Sequence, residues 1–466
     1  MMRHVSLWRR GLFHFLSACI GSANKYDDSG SRRENSEPRL ECGNYIVSLI
    51  SNFLLFLARK LIPEHARSRI LAWAGRAAVK GRKPFQSGFR PDDPLSAPDP
   101  SMNLFGYLTG EVGVGEGARS TIRAARSAGI ELRTIDLARW CNSRTSEPLC
   151  LNASKIDMAG INLFHVNADQ TPLLADWVGL SVFDGRYNIG YWLWETDEFP
   201  DTWHGSFDYV DEIWTASSFC REVIARKTSL RVITIPCNVE PVLPAGATRR
   251  QFGLPNDGFV FLCMADFLSC PERKNILGAV EAFFKAFGSE ANGVYLVVKI
   301  VNAGLRPDVT SRLHEIIQRN PHIIVMSDYL SRPEVNSLIN SVDCYVSLHR
   351  SEGFGLPLAE AMYFGKPVIA TGWSGNMDFM NEDNSLSVPY TMVEVDTNYF
   401  PYNMGGKWAE PDRDYAAEMM KELSTNTTLC QTLGKRGQAT IRQRFSPEAT
   451  GTLIREQLRK IVYGRH

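Results

Sequence analysis

Apolar residues in this chain fall into short runs alternating with stretches of helical period, and the rhythm starts near residue 102. A run of four to eight apolar residues between turn formers suits a buried strand. Apolar positions recurring at three and four residues suit an amphipathic helix. Residues 102–108, 160–166, 187–194, 212–216 and 231–236 read as strands with helices between several of them, and 117–129 reads as one such helix closed by glycine. Residues 239–258 hold three prolines and three glycines and read as an interdomain linker. A second series follows, with strands at 259–265, 294–301, 322–326, 344–348 and 367–370. Such alternation implies parallel sheets covered on both faces. Two series in succession predict an α/β chain of two Rossmann-like, doubly wound domains facing a central cleft. After Asp412 the pattern is helical, and Arg444-Phe445-Ser446-Pro447 starts a final helix.

The charge pattern adds an N-terminal extension. Residues 1–90 carry 16 Lys or Arg against 6 Asp or Glu, in a chain whose totals balance at 51 each. Overall neutrality gives no support for nucleic-acid binding. The basic region suits either an anionic surface such as a membrane or a solvated extension. No stretch reaches the ~18–20 apolar residues of a spanning helix. Residues 45–58, broken by Ser48, Ser51 and Asn52 and followed by Arg59 and Lys60, read as an interfacial helix or as one packed on the body. Residues 1–20 weakly imitate a signal peptide, but the rest reads as an enzyme working inside the cell. Residues 22–42 form a polar linker, and 82–100, with five prolines, mark a second break. Ten cysteines without a C-x-x-C pair suit free thiols in a reducing compartment. The expected domains are 1–100 (basic extension, partly disordered or membrane-associated), 101–240, 241–446, and a C-terminal helix over 447–466 packing back on the N-terminal domain.

Chemistry concentrates in His349-Arg350-Ser351-Glu352-Gly353-Phe354-Gly355-Leu356-Pro357-Leu358-Ala359-Glu360, which follows a buried strand and opens a helix. Pro357 suits the first helical turn. The glycines let backbone approach a ligand, and free N–H groups at the helix start bind anions or hydroxyls. Glu352 and Glu360 each accept hydrogen bonds from paired hydroxyls. Glu352 to Glu360 resembles the E-x7-E motif of retaining GT-B glycosyltransferases, specifically glycosyltransferase family 4 (glycosyl transferases group 1) of bacterial type. The resemblance covers about residue 102 to the C-terminus. It implies that Glu352 contacts the transferred sugar, that Gly353, Phe354, Gly355 and Leu356 line the donor, and that Glu360 holds the ribose. Ser269-Cys270-Pro271-Glu272-Arg273-Lys274-Asn275 resembles the family's basic pair against the donor diphosphate, with Lys274 ahead of Arg273. Many members also carry an arginine directly after the preceding strand, where this chain has Asp266-Phe267.

The first half resembles the family too. Gly113-Val114-Gly115-Glu116-Gly117-Ala118 resembles the glycine-rich loop after the first strand and places Gly113 and Gly115 with the donor. A rival reading takes the same glycines, with Asp136 ending the next strand, as a dinucleotide fingerprint. His165, at a strand end, resembles the residue facing donor and acceptor, while structural histidines are common. Asn167 and Asp169 are further acceptor candidates, as is Glu195 in Gly190-Tyr191-Trp192-Leu193-Trp194-Glu195; most tryptophans here read as core. Ser374 and Asn376, in a turn before a helix, are donor candidates. Asp412-Arg413-Asp414 has the D-x-D form of a metal motif but sits at a helix start, where acids are favoured, so no metal is expected.

The resemblance therefore implies a metal-independent, retaining hexosyltransferase, with Glu352, His165 and Lys274 as catalytic residues. It would move sugar from a nucleotide diphosphate sugar to a hydroxyl of a glycan or lipid-linked acceptor, in bacterial polysaccharide or cell-surface glycan synthesis. No cofactor beyond the donor is expected, and no nucleic-acid partner. The location expected is cytoplasmic, with residues 1–90 as an optional peripheral contact to the inner face of the cell membrane. Alternatives are a GT-B relative with another activity, such as a sugar-nucleotide epimerase or a phosphorylase, and a non-catalytic sugar-binding protein.

Overall fold

A computed structural model describes residues 100–463 apart from 142, 146–158, 292, 319, 398, 400, 403 and 404, together with Val79 and Arg82. The expectations for the basic extension, the signal-like segment and residues 45–58 lie outside the described residues.

The first half is a six-stranded parallel sheet. Its strands are β1 (Met102–Gly106), β2 (Leu132–Asp136), β3 (Ile161–His165), β4 (Tyr187–Tyr191), β5 (Glu212–Thr215) and β6 (Arg231–Thr234), in spatial order β2-β1-β3-β4-β5-β6. Helices α1 (Gly113–Ser127), α2 (Leu174–Val178) and α3 (Ser218–Ala225) connect them. The second half repeats the plan with β7 (Phe259–Asp266), β8 (Val294–Val301), β9 (Ile323–Met326), β10 (Cys344–Ser347), β11 (Val368–Thr371) and β12 (Leu386–Val388), ordered β12-β11-β10-β7-β8-β9 and also parallel. Its helices are α4 (Pro271–Lys274), α5 (Ile276–Phe287), α6 (Pro307–Ile317), α7 (Arg332–Ser341) and α8 (Leu356–Tyr363). An antiparallel hairpin of β13 (Tyr390–Glu394) and β14 (Lys407–Pro411) precedes α9 (Arg413–Thr425), α10 (Thr427–Arg444) and α11 (Pro447–Tyr463).

The inner strands owe their burial to this topology. β1, β3, β5 and β11 are buried at every position, as inner strands of doubly covered sheets should be. Strand order reverses between β1 and β3 in the first sheet and between β7 and β10 in the second. In open parallel sheets, ligands bind at the carboxyl ends of the strands flanking such a reversal.

Several boundaries differ from those expected. α1 begins at Gly113, so the glycine-rich segment is a helical first turn rather than a loop. Gly115 has a packing reason there, because a Cβ would lie 2.6 Å from the carbonyl oxygens of Tyr107 and Gly110. β4 stops at Tyr191 because the side chain of Asn167 captures the next segment, accepting a hydrogen bond from Leu193 N at 2.9 Å. β12 and the β13–β14 hairpin escape the apolar pattern, since β12 is three residues long and β13 is mostly exposed. The C-terminal α11 packs on α1 of the first half, with a Cβ on Gly451 only 2.3 Å from the carbonyl oxygen of Ala124.

Candidate active site

The second sheet's reversal point brings two chain exits together. β7 leads through Asp266 into the short α4, and β10 leads into the loop before α8. Asn275, at φ 49, separates α4 from α5 and donates from Nδ2 to Leu348 O at 2.8 Å. Arg350 N donates to Arg273 O at 2.7 Å. Stitched this way, the loops set Lys274 Nζ 2.5 Å from Glu352 Oε1 and Arg273 Nη1 3.4 Å from Glu352 Oε2. Arg273 Nη1 also donates to Ser351 O at 2.6 Å, while its buried Nε has no hydrogen-bond partner.

Burial alone would raise the Glu352 carboxyl, but the Lys274 ammonium and the Arg273 guanidinium overcome that and hold its pKa at about 2. Glu352 is 7% exposed and is a fixed anion near neutral pH. Lys274 is displaced below the usual ammonium value, mainly by its own burial. Two cations and one anion are thus buried together at this point of the chain.

The loop is braced from the far side. Ser374 Oγ accepts from Glu352 N at 2.8 Å, and Gly375 N donates to Glu352 O at 2.9 Å. Ser374 takes φ 80 to do this, a strained value for a residue with a Cβ. Asn376 donates to Thr371 O at 3.0 Å and has Oδ1 3.1 Å from His349 Nε2. In this arrangement the Gly375 amide and the Ser374 and Asn376 side chains hold the Glu352 loop. The Phe354 ring is buried against Phe379 and Phe445 at centroid distances of 5.3 and 5.9 Å. Leu356 is half-buried against the core. Gly353 O accepts from Ser217 Oγ at 2.6 Å and from Cys220 Sγ at 3.3 Å, both from the first half. Gly355, at φ 91, is the N-cap of α8. Glu360 is 3% exposed; Arg332 pairs with its Oε1, and Oε2 has no hydrogen-bond partner.

Across the cleft, the chain leaving β4 delivers Glu195. Its carbonyl accepts from Ser351 Oγ, and its Oε2 accepts from Tyr402 OH at 3.0 Å. The Glu195 charge acts on both Arg273 and Lys274. Tyr402, missed in the sequence, comes from the β13–β14 connection and lies fully inside, with the Arg273 guanidinium 5.7 Å from its ring centroid. Its signal was the aromatic cluster Tyr399, Phe400 and Tyr402, which has no strand or helix period. Glu352, Arg273, Lys274, Glu195 and Tyr402 thus form one group.

Other candidates fall outside it. His165 is wholly buried, with Nε2 2.8 Å from Thr121 Oγ1 and its ring stacked 3.9 Å from Tyr191. Burial drops its pKa to about 3. Both partners belong to the first half, and the structure does not join His165 to the Glu352 group. Asn167 positions Leu193, and Asp169, raised by burial, accepts from Gln170 Nε2 at 2.9 Å. Gly113 is exposed at the start of α1. The dinucleotide reading loses its acid: Asp136 Oδ1 accepts from Leu108 N at 2.8 Å and Ala138 N at 2.9 Å, and Oδ2 from Thr109 Oγ1 at 2.5 Å. Asp412 caps α9 through Asp414 N and Tyr415 N.

Comparison with known proteins places this geometry. Residues 247–392 match the family Glycosyl transferases group 1. Human alpha-1,3/1,6-mannosyltransferase ALG2 is 26% identical over 199 residues, 41% of this chain and 42% of that protein. The match thus spans less than half the length of this curated relative. Among solved structures, sucrose-phosphate synthase from Thermosynechococcus elongatus superposes with a TM-score of 0.58 at 16% identity, covering 78% of this chain and 100% of that one. Anabaena Alr3699/HepE in complex with UDP and glucose gives 0.56 at 14% identity, covering 77% and 99%. The fold is GT-B, and the match to glycosyl transferases group 1 lies in its second half. No helix of the described residues is long and apolar enough to cross a membrane.

Proposed function

We propose that the chain is a retaining glycosyltransferase of the family-4 kind, moving a sugar from a nucleoside diphosphate donor to a hydroxyl of a glycan or lipid-linked acceptor. The observation that carries this is the buried, ionised Glu352 held between Lys274 and Arg273 at the reversal point of the second sheet. In this reading Lys274 and Arg273 meet the diphosphate and stabilise the charge that develops as it leaves. Glu352 remains an anion near neutral pH and gives up no proton. It orients the sugar hydroxyls and faces the positive charge that grows at the anomeric carbon. Glu360 offers its unpartnered Oε2 to the ribose hydroxyls. Glu195, held by Tyr402, receives the acceptor. The leaving phosphate takes the acceptor proton on the same face, so no protein nucleophile is required.

The family match over 247–392 and the sugar ligands of the Anabaena structure support a nucleotide sugar as donor. Calorimetric titration of the full chain with UDP, GDP and UDP-glucose tests the reading. At least one should bind, and Lys274→Ala should weaken that binding about tenfold or more, since a charge-assisted contact is worth ~1.5–3 kcal/mol. A chain that binds no nucleotide would sink the proposal. Donor turnover without acceptor, giving free sugar, would favour an epimerase-like relative instead.

A further inference from the structure

A concavity of about 290 Å³ has walls from both halves of the molecule. Phe219 and Glu222 come from α3, Arg226 from its C-cap, Asp197 from the segment after β4, and Trp373, Tyr390 and Met392 from the second half. The Trp373 ring stands 5.0 Å from Phe219 at 70° and 6.3 Å from Tyr390 at 49°. Tyr390 and Met392 alternate on one face of β13 and are 39% and 41% exposed. The rim is charged, with Glu222 and Arg226 exposed and Asp197 half-buried.

We propose that this groove is a subsite for a neutral pyranose ring of the acceptor, next to the sugar or alcohol being extended; the proposal rests on the transferase reading above. A pyranose has a face of C–H bonds and a girdle of hydroxyls. The C–H bonds carry slight positive charge and settle on the negative faces of aromatic rings. The hydroxyls donate to carboxylates and accept from a guanidinium. Here Trp373 and Tyr390 supply the faces, and Asp197, Glu222 and Arg226 the girdle. Two acids against one base disfavour an anionic ligand. A volume at the small end of ligand sites, ~300–1,000 Å³, with a charged rim, disfavours an acyl chain.

The position of the groove supports the assignment. Asp197 lies two residues beyond Glu195, whose carbonyl is bonded to Ser351. Trp373 directly precedes Ser374, which holds Glu352 N. The segments that carry Glu195 and Ser374 therefore each contribute one residue to the groove. Because its walls belong to different halves, the groove is complete only while they are together.

Saturation-transfer NMR on the full chain, with UDP present, tests this. The probes are methyl α-glucopyranoside, methyl α-mannopyranoside and octyl glucoside. The variants are Tyr390→Ala and Glu222→Ala, whose side chains are exposed and outside the Glu352 group. A methyl glycoside should bind the unmodified chain, and each variant should weaken it about fivefold or more while UDP affinity stays within about twofold. Absence of methyl glycoside binding, equal binding in both variants, or binding of the octyl form alone would each overturn the subsite. UDP binding read in the same samples separates this failure from failure of the transferase reading.

Discussion

A carboxyl group taken out of water is ordinarily driven toward its neutral form, and Glu352 is driven the other way because two cations were buried with it. Its folded pKa of about 2 lies below the ordinary glutamate value of 4.5. Its contribution to stability is therefore fully present above about pH 4.5 and is lost as pH falls toward 2. His165 acts in a higher window. Its folded pKa of about 3 lies below the unfolded 6.5, so the unfolded chain binds an extra proton between those values. Stability from this residue is present above about pH 6.5 and falls by up to ~1.4 kcal/mol per pH unit on acidification. Urea unfolding at pH 7.5 and 5.0 should show His165→Gln losing about 2 kcal/mol less than the unmodified chain over that interval. An identical loss would mean that His165 is protonated in the fold. Tyr402 is a positioning residue. Tyr402→Phe keeps the ring beside Arg273 and removes the hydroxyl bonded to Glu195. Steady-state kinetics should show kcat or acceptor KM worsened about three- to tenfold, in line with one lost hydrogen bond of ~0.5–1.5 kcal/mol, with donor KM unchanged. A changed donor KM alone would place Tyr402 on the donor side instead.

Elements explain which parts of this were legible beforehand. β7, β8, β10 and α8 are written in apolar runs with glycine and proline at their ends, so Glu352, Lys274 and Glu360 were placed from local sequence. Glu195 was legible as an acid following a buried strand. Tyr402 was not, because it reaches the site through an irregular excursion between two strands that pair mainly with each other. Ser374 and Asn376 were found as a turn, but their bracing of the Glu352 loop was not legible, since the sequence does not show which side chains hold a loop in place. Gly113 and Gly115 were read as part of a glycine-rich loop from the resemblance, yet both lie in a helical turn, where the close approach of Tyr107 O and Gly110 O requires the smallest residue at Gly115. The same logic governs α11. Adding one methyl at Gly451 forces the helix away from Ala124 O and from Ala128 Cβ, which would lie at 2.3 and 2.9 Å. Gly451→Ala should cost about 1–3 kcal/mol in urea unfolding, the usual penalty for overpacking. A gain in stability, as expected for alanine in an open helical position, would show that α11 and α1 are not in close contact in solution.

On the scale of the whole molecule, the cleft is drawn together by polar contacts from the loops at the carboxyl ends of the two sheets. Ser217 Oγ reaches Gly353 O at 2.6 Å, Ser351 reaches the Glu195 carbonyl, and Tyr329 OH donates to Glu111 Oε1 at 2.5 Å. Asp378, from the turn after β11, adds a carboxylate to this set. Its Oδ2 accepts from Ser218 N at 2.8 Å and its Oδ1 from Ser218 Oγ. Ser218 is the first residue of α3, so a carboxylate of one half sits at the positive end of a helix of the other. Hydrogen bonds to a charged group are worth ~1.5–3 kcal/mol, enough to move an open–closed equilibrium about tenfold or more. Asp378→Ala should therefore favour the open arrangement. Small-angle scattering should give a larger radius of gyration for the nucleotide-free variant, and added donor should restore the unmodified value if binding across the cleft draws the halves together. Asp378 also lies outside the Glu352 group, so the saturated rate with donor and acceptor should stay within about threefold while both KM values rise. A variant with unchanged scattering and unchanged KM would show that Asp378 stabilises α3 alone and that the remaining contacts hold the cleft shut.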